Sequence, residues 1–89
     1  MTHEHSLIKG LLDKIMEIAR EEKAGKVTAV KVKIGALNFI SPEHFREHFE
    51  KGAAGTLAEG SRLDIETSSD IRDPCAQDIL LMSVEAAED

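Results

Sequence analysis

The sequence predicts a small α+β domain: two helices packed on one face of a three-stranded mixed β-sheet, in the order α-β-α-β-β. Three observations lead there. Apolar residues recur at helical spacing in two segments and at strand spacing in others. A helical segment lies between the first two strands, so a crossover joins them and they run parallel. The last two strands are then antiparallel, and one layer of helices on one sheet face is the economical way to cover the apolar residues. At 89 residues the chain is one domain with one modest core, able to bury roughly 60–65% of its unfolded surface.

Leu7, Ile8, Leu11, Leu12, Ile15, Ile18 and Ala19 share one helical stripe, with Asp13, Lys14, Glu17, Glu21 and Glu22 largely opposite. Ser6 suits an N-cap and Gly25 a stop, so the first helix is expected over about 7–23. Val27–Ile34 alternates: Val30, Val32 and Ile34 face the core, Lys31 and Lys33 face water. Gly35 ends that strand. Ser41-Pro42-Glu43 opens the second helix, with Ser41 as N-cap and Pro42 at the first helical position. Phe45 and Phe49 lie on its inner face, Phe39 is also assigned to the core, and Gly52 is the stop. Ala53–Gly60 is a small-residue loop. Arg62–Glu66 alternates again as an amphipathic strand, Ser68–Asp78 is a polar connector, Ile79–Val84 is an apolar strand, and 86–89 is an acidic tail.

The start of the chain, Met1-Thr2-His3-Glu4-His5-Ser6-Leu7, carries the chemistry. An α-amine, backbone amides and an imidazole suit the square-planar preference of Ni(II) or Cu(II). With Met1 retained, its amine, the Thr2 and His3 amides and the His3 ring supply four nitrogens. With Met1 removed, the Thr2 amine, the His3 amide and the His3 ring remain, and the Glu4 amide or His5 ring is fourth. The positive end of the first helix dipole lies beside these residues and mildly disfavours a cation, so the chelate must supply the affinity. The bland alternative is a pair of unstructured terminal histidines.

Charge and composition narrow the function classes. Eleven Lys and Arg against 17 Asp and Glu leave a formal charge of −6, and there is no Trp or Tyr. Such a chain lacks the basic footprint and the stacking platforms of a nucleic-acid binder, and anionic membranes repel it. One cysteine, Cys75, excludes an internal disulfide and suggests a reducing compartment. Without a spanning apolar run or a signal-peptide core, the expected location is the cytoplasm.

Other constellations are weaker. His44 and His48 are four apart beside Glu43 and Glu47, a spacing that can hold Zn²⁺ on one helix face. The metalloprotease order His-Glu-x-x-His is missing, and surface histidines on a charged helix is the simpler reading. Cys75 offers a third nickel or zinc ligand only if the connector, far along the chain from His3, reaches it; an incidental exposed thiol is the simpler reading. Lys31 and Lys33 form a solvated strand face on which an acidic partner could dock. Neither a nucleophile–base pair nor a phosphate-cradling glycine loop is visible, so the chain is not expected to be an enzyme.

Several segments in order resemble the HypA/HybF hydrogenase nickel-insertion accessory proteins. His3-Glu4 with Ser6-Leu7 is similar to that family's Met-His-Glu-x-Ser-Leu start. Val30-Lys31-Val32-Lys33-Ile34-Gly35-Ala36-Leu37 resembles its strand ending in Ile-Gly-x-Leu. Ser41-Pro42-Glu43 with Phe45 and Phe49 resembles its second helix. Gly55–Leu63 is similar to its Gly-Thr-x-Ala-Glu-Gly-x-x-Leu segment, and Leu80–Glu85 to its closing strand. The resemblance implies a nickel carrier for maturation of [NiFe]-hydrogenase or another nickel enzyme. It implies a HypB-like GTPase and a nickel-enzyme large subunit as partners. It also implies a nickel site at His3, with Glu4 matching the adjacent family residue.

Two departures stand out. Thr2 separates Met1 from His3, which keeps the family geometry only if Met1 is removed. Family members also carry two Cys-x-x-Cys pairs between the last two strands, the four thiolates of a closed zinc site. Ser68–Asp78 stands there instead, with Cys75 alone. The expectation is therefore one HypA-like domain over 1–89 that binds nickel through His3, assisted by Glu4, His5, Met1 and Thr2, and holds no structural zinc. Protonation of an imidazole near physiological pH offers a release route. The alternative is a metal-free interaction module derived from that family, docking on a partner or on a second copy of itself.

Overall fold

The computed structural model describes residues 3–38 and 40–88, with side chains from residue 8 onward apart from Phe39. Helix α1 (His3–Glu21) begins earlier than its apolar stripe. Nothing in His3-Glu4-His5 breaks a helix, so Ser6 falls inside α1 and is not its cap. The far end also differs from expectation. Lys23 takes a left-handed conformation at φ 55°. Around it, the Lys23 amide donates to the Arg20 carbonyl at 3.1 Å and the Ala24 amide to that of Ala19 at 2.9 Å. This pair of bonds is the Schellman closure, which satisfies carbonyls that the helix end leaves unpaired. A lysine thus occupies the position glycine usually holds, and Gly25 follows the stop that it was expected to make.

Strand β1 (Lys26–Ile34) is the middle of the sheet, whose order is β2-β1-β3. Strand β2 (Arg62–Thr67) pairs parallel with it, from Ala29 opposite Arg62 to Ile34 opposite Thr67. Strand β3 (Ile79–Ala87) pairs antiparallel, from Lys26 opposite Ala87 to Ile34 opposite Ile79. The last two strands do run in opposite directions, yet they occupy opposite edges and never meet. Residues 86 and 87, read as tail, extend β3, because the first two residues of β1 offer them a ladder.

Two register shifts break the simple alternation. Between Val27 and Ala29 the extra residue is Thr28, whose hydroxyl donates to the Glu85 carbonyl at 3.1 Å. This bulge lets Val27, Ala29 and Val30 all be buried. The second shift lies between Lys31 and Val32 and leaves Met82 of β3 without an opposite residue. Met82 is 50% exposed.

Helix α2 (Pro42–Ala53) starts as expected. Ser41 is extended at φ −74°, ψ 150°, and its side chain accepts from the His44 amide. Phe45 and Phe49 are fully buried, their ring centroids 6.2 Å apart. With Ile8, Leu12, Ile15 and Ala19 from α1 and Val27, Val30, Val32, Ile34 and Leu63 from the sheet they make one continuous core. The expectation for Phe39 lies outside the described residues.

Lys31 lies on the opposite sheet face and reaches Glu66 at 3.7 Å, both half exposed, a pairing worth little. Ser68–Asp78 is not a free linker. The Gly35 amide donates to the Asp78 carbonyl at 2.9 Å and the Leu37 amide to that of Ala76 at 2.7 Å. Asn38 Nδ2 donates to the Gln77 carbonyl at 3.1 Å. Ala76 is buried, so the connector is docked against the exit of β1.

Candidate metal centre

Helical order begins at His3, and the first four amides of a helix have no acceptor within it. The His3, Glu4 and His5 amides are in that position. Burial of Ile8, Leu11, Leu12 and Ile15 holds this end of α1 to the domain. Met1 and Thr2 lie outside the described residues, and so do the side chains of His3, Glu4 and His5. Five residues separate His3 from Ile8, about 7.5 Å along a helix axis.

Ile8 opens a groove between α1 and α2 of about 380 Å³. Leu12, Met16, Gly52 and Thr56 line it together with Lys9, Asp13, Lys51 and His48. Its existence depends on close approach of the two helices. A Cβ on Gly52 would stand 2.6 Å from Leu12 Cδ1, so the missing side chain of Gly52 is what admits Leu12. Sequence reading took Gly52 only as a helix stop; its position on the inner side of α2, three residues after Phe49, was the available signal.

The second histidine pair is better defined than its spacing alone suggested. His44 and His48 approach with Nε2 atoms 2.8 Å apart. Their rings are 20° from parallel with centroids 4.5 Å apart. Glu47 turns away to Lys51, with which it makes an ion pair at 3.3 Å.

Cys75 is a free, partly exposed thiol. Its amide donates to Asp73 Oδ1 at 2.9 Å, one of several local bonds that fold the connector on itself. Among the described residues, no three of His, Cys, Asp and Glu gather where they could share a metal ion. No helix among them is long and apolar enough to cross a membrane.

Comparison with known proteins adds a family. Residues 1–78 match the family described as "Hydrogenase/urease nickel incorporation, metallochaperone, hypA". The hydrogenase maturation factor HypA of Chlorobium limicola is 45% identical over 64 residues, 72% of this chain and 55% of that protein. That of Archaeoglobus fulgidus is 37% identical over 71 residues, 79% of this chain and 64% of that one. The chain therefore spans little more than half the length of these relatives. Among solved structures, the solution structure of the Ni metallochaperone HypA from Helicobacter pylori superimposes with a TM-score of 0.81 at 20% identity. It is matched over 99% of this chain and 100% of that one, a likeness of fold.

Proposed function

From the premise that this chain belongs to the HypA family, we propose that it is a nickel carrier. It would bind Ni(II) at its amino terminus and deliver it to a maturing [NiFe]-hydrogenase or another nickel enzyme. The observation that carries this reading is the family match over residues 1–78, which takes in the His3-Glu4 start and both helices. His3 supplies the imidazole. With Met1 retained, its α-amine and the Thr2 and His3 amides complete a planar nitrogen set; with Met1 removed, the Thr2 α-amine and the His3 amide do so together with the Glu4 amide or the His5 ring. Glu4 and His5 assist capture or release.

Backbone nitrogens of successive residues lie in one plane only where the chain is not coiled. The helix begins at His3, so the His3 amide would leave the coil to join that plane. The His3 amide is among the donors that lack an acceptor within α1, and its deprotonation costs no helical hydrogen bond. The domain would work as a single unit over 1–89, with Ser68–Asp78 where relatives of the family carry a zinc site. A lone Cys75 does not make a four-thiolate site, so no structural zinc is proposed, and a strong chelator should leave the melting temperature unchanged. A HypB-like GTPase and the large subunit of the recipient enzyme are the proposed partners.

The test is nickel titration into protein whose native terminus is verified by mass. His3→Ala and an N-terminally extended form are compared with it. The expected result is a yellow, diamagnetic species in the parent and binding at least tenfold weaker in both variants. Equal affinity in all three overturns this site, and partner capture that survives His3→Ala and chelator then favours a metal-free docking module.

A further inference from the structure

We infer that His44 and His48 on α2 form a second metal site, a bidentate seat for Cu(II) or Ni(II) with cis ligand geometry. The spacing of the two residues puts both rings on one helix face, where an i, i+4 pair converges on one ion. The structure adds the metric detail. The Nε2 atoms are 2.8 Å apart while the ring centroids are 4.5 Å apart. The rings therefore lean together at their Nε2 corners, the corners that would ligate.

That separation is set by the hydrogen bond between the rings, and it lies close to what a cis pair of ligands needs. With metal–nitrogen bonds of about 2.0–2.1 Å, nitrogens 2.8 Å apart subtend about 85–90° at the ion. This is the cis angle of square-planar and octahedral complexes. A tetrahedral angle would require nitrogens about 3.3 Å apart on the same bond lengths, which these rings reach by a small rotation, so the choice of metal rests on imidazole affinity. Imidazole suits Cu(II) and Ni(II), and the order of divalent affinities makes Cu(II) the tighter.

At 2.8 Å one Nε2 donates its hydrogen to the other. When metal enters, that hydrogen is released to Nδ1 of the same ring or to solvent, and no co-reactant is needed. No third His, Cys, Asp or Glu joins the pair among the described residues. The remaining positions would be filled by water or by further groups. His48 also lines the groove between α1 and α2, so an occupant of that groove would lie beside the ion. This inference is independent of the amino-terminal chelate.

The test removes that chelate first. An N-terminally extended protein carrying His3→Ala and His5→Ala is titrated with Cu(II) and, separately, with Ni(II) and Zn(II). The expected result is one equivalent of Cu(II) with a tetragonal resonance spectrum showing two coupled nitrogens. Binding should fall at least tenfold in His44→Gln and in His48→Gln, each shown to be folded by circular dichroism. Nitrogen NMR should show both Nε2 resonances, and neither Nδ1, moving with the metal. Copper affinity unchanged by either substitution means adventitious binding and overturns the site. Preferred binding of Zn(II) overturns the assigned metal.

Discussion

Replacing Gly35 with alanine tests whether the connector is part of the fold. Gly35 does not have a positive φ; what excludes a side chain is space. An added Cβ would overlap the Ala76 carbonyl and stand 2.7 Å from the Cys75 oxygen. Both obstacles are backbone, so a rotamer change cannot relieve them. Relief requires lifting the connector from β1, which strains or breaks the hydrogen bonds from Gly35, Leu37 and Asn38. At about 0.5–1.5 kcal/mol each, three such bonds set a ceiling of about 4.5 kcal/mol. Overpacking of this kind costs about 1–3 kcal/mol, and a loss of about 2–3 kcal/mol is expected. For a domain of this size that lowers the melting temperature by about 10–20 °C. Gly10→Ala is the internal control. Gly10 lies in α1 with nothing within 4 Å of a built Cβ, so alanine should stabilise by about 0.5–1 kcal/mol through helix propensity. Thermal and urea unfolding followed by circular dichroism give both values. Gly35→Ala should also lower the urea m-value, because a released connector leaves the native state less compact. If Gly35→Ala melts within about 2 °C of the parent, the docked connector is not a stabilising part of the molecule.

The other predictions concern local terms. Lys23→Gly should raise stability by about 0.5–1 kcal/mol in the same unfolding assay, since glycine holds the left-handed position without the Cβ clash. Ser41→Ala should cost about 1 kcal/mol by removing the acceptor of the His44 amide. An unchanged midpoint would show that solvent satisfies that amide equally well. Phe45→Ala removes a ring with 0% exposure and should cost about 3–5 kcal/mol. For a chain of this length, with a total of about 5–12 kcal/mol, that leaves a markedly larger unfolded population, readable by proton NMR at 25 °C.

The five elements and their order could be read from residue spacing because each apolar stripe or alternation reports a one-sided burial, and burial of apolar surface dominates folding. Val30, Val32 and Ile34 inward, Ser41 capping before Pro42, and Phe45 with Phe49 on one face are local patterns with local causes. The parallel sense of β1 and β2 was equally accessible, since a helix must carry the chain back between them. The proposed His3 chelate rests on sequence alone, because its ligands are consecutive residues.

What tertiary structure decided is everything that depends on two distant segments meeting. β1 became the central strand because both later strands find its ladder, which no alternation within them specifies. Lys23 ends α1 in a left-handed turn even though the residue type favours glycine there, since the chain must turn at that point to enter β1. Gly35 and Gly52 read as punctuation in the sequence. In the fold each is the absence of a side chain where Ala76 or Leu12 comes close. The histidines of α2 are four apart in the sequence; the hydrogen bond between their rings, which brings the Nε2 atoms to 2.8 Å, is a matter of rotamers that spacing allows and does not specify.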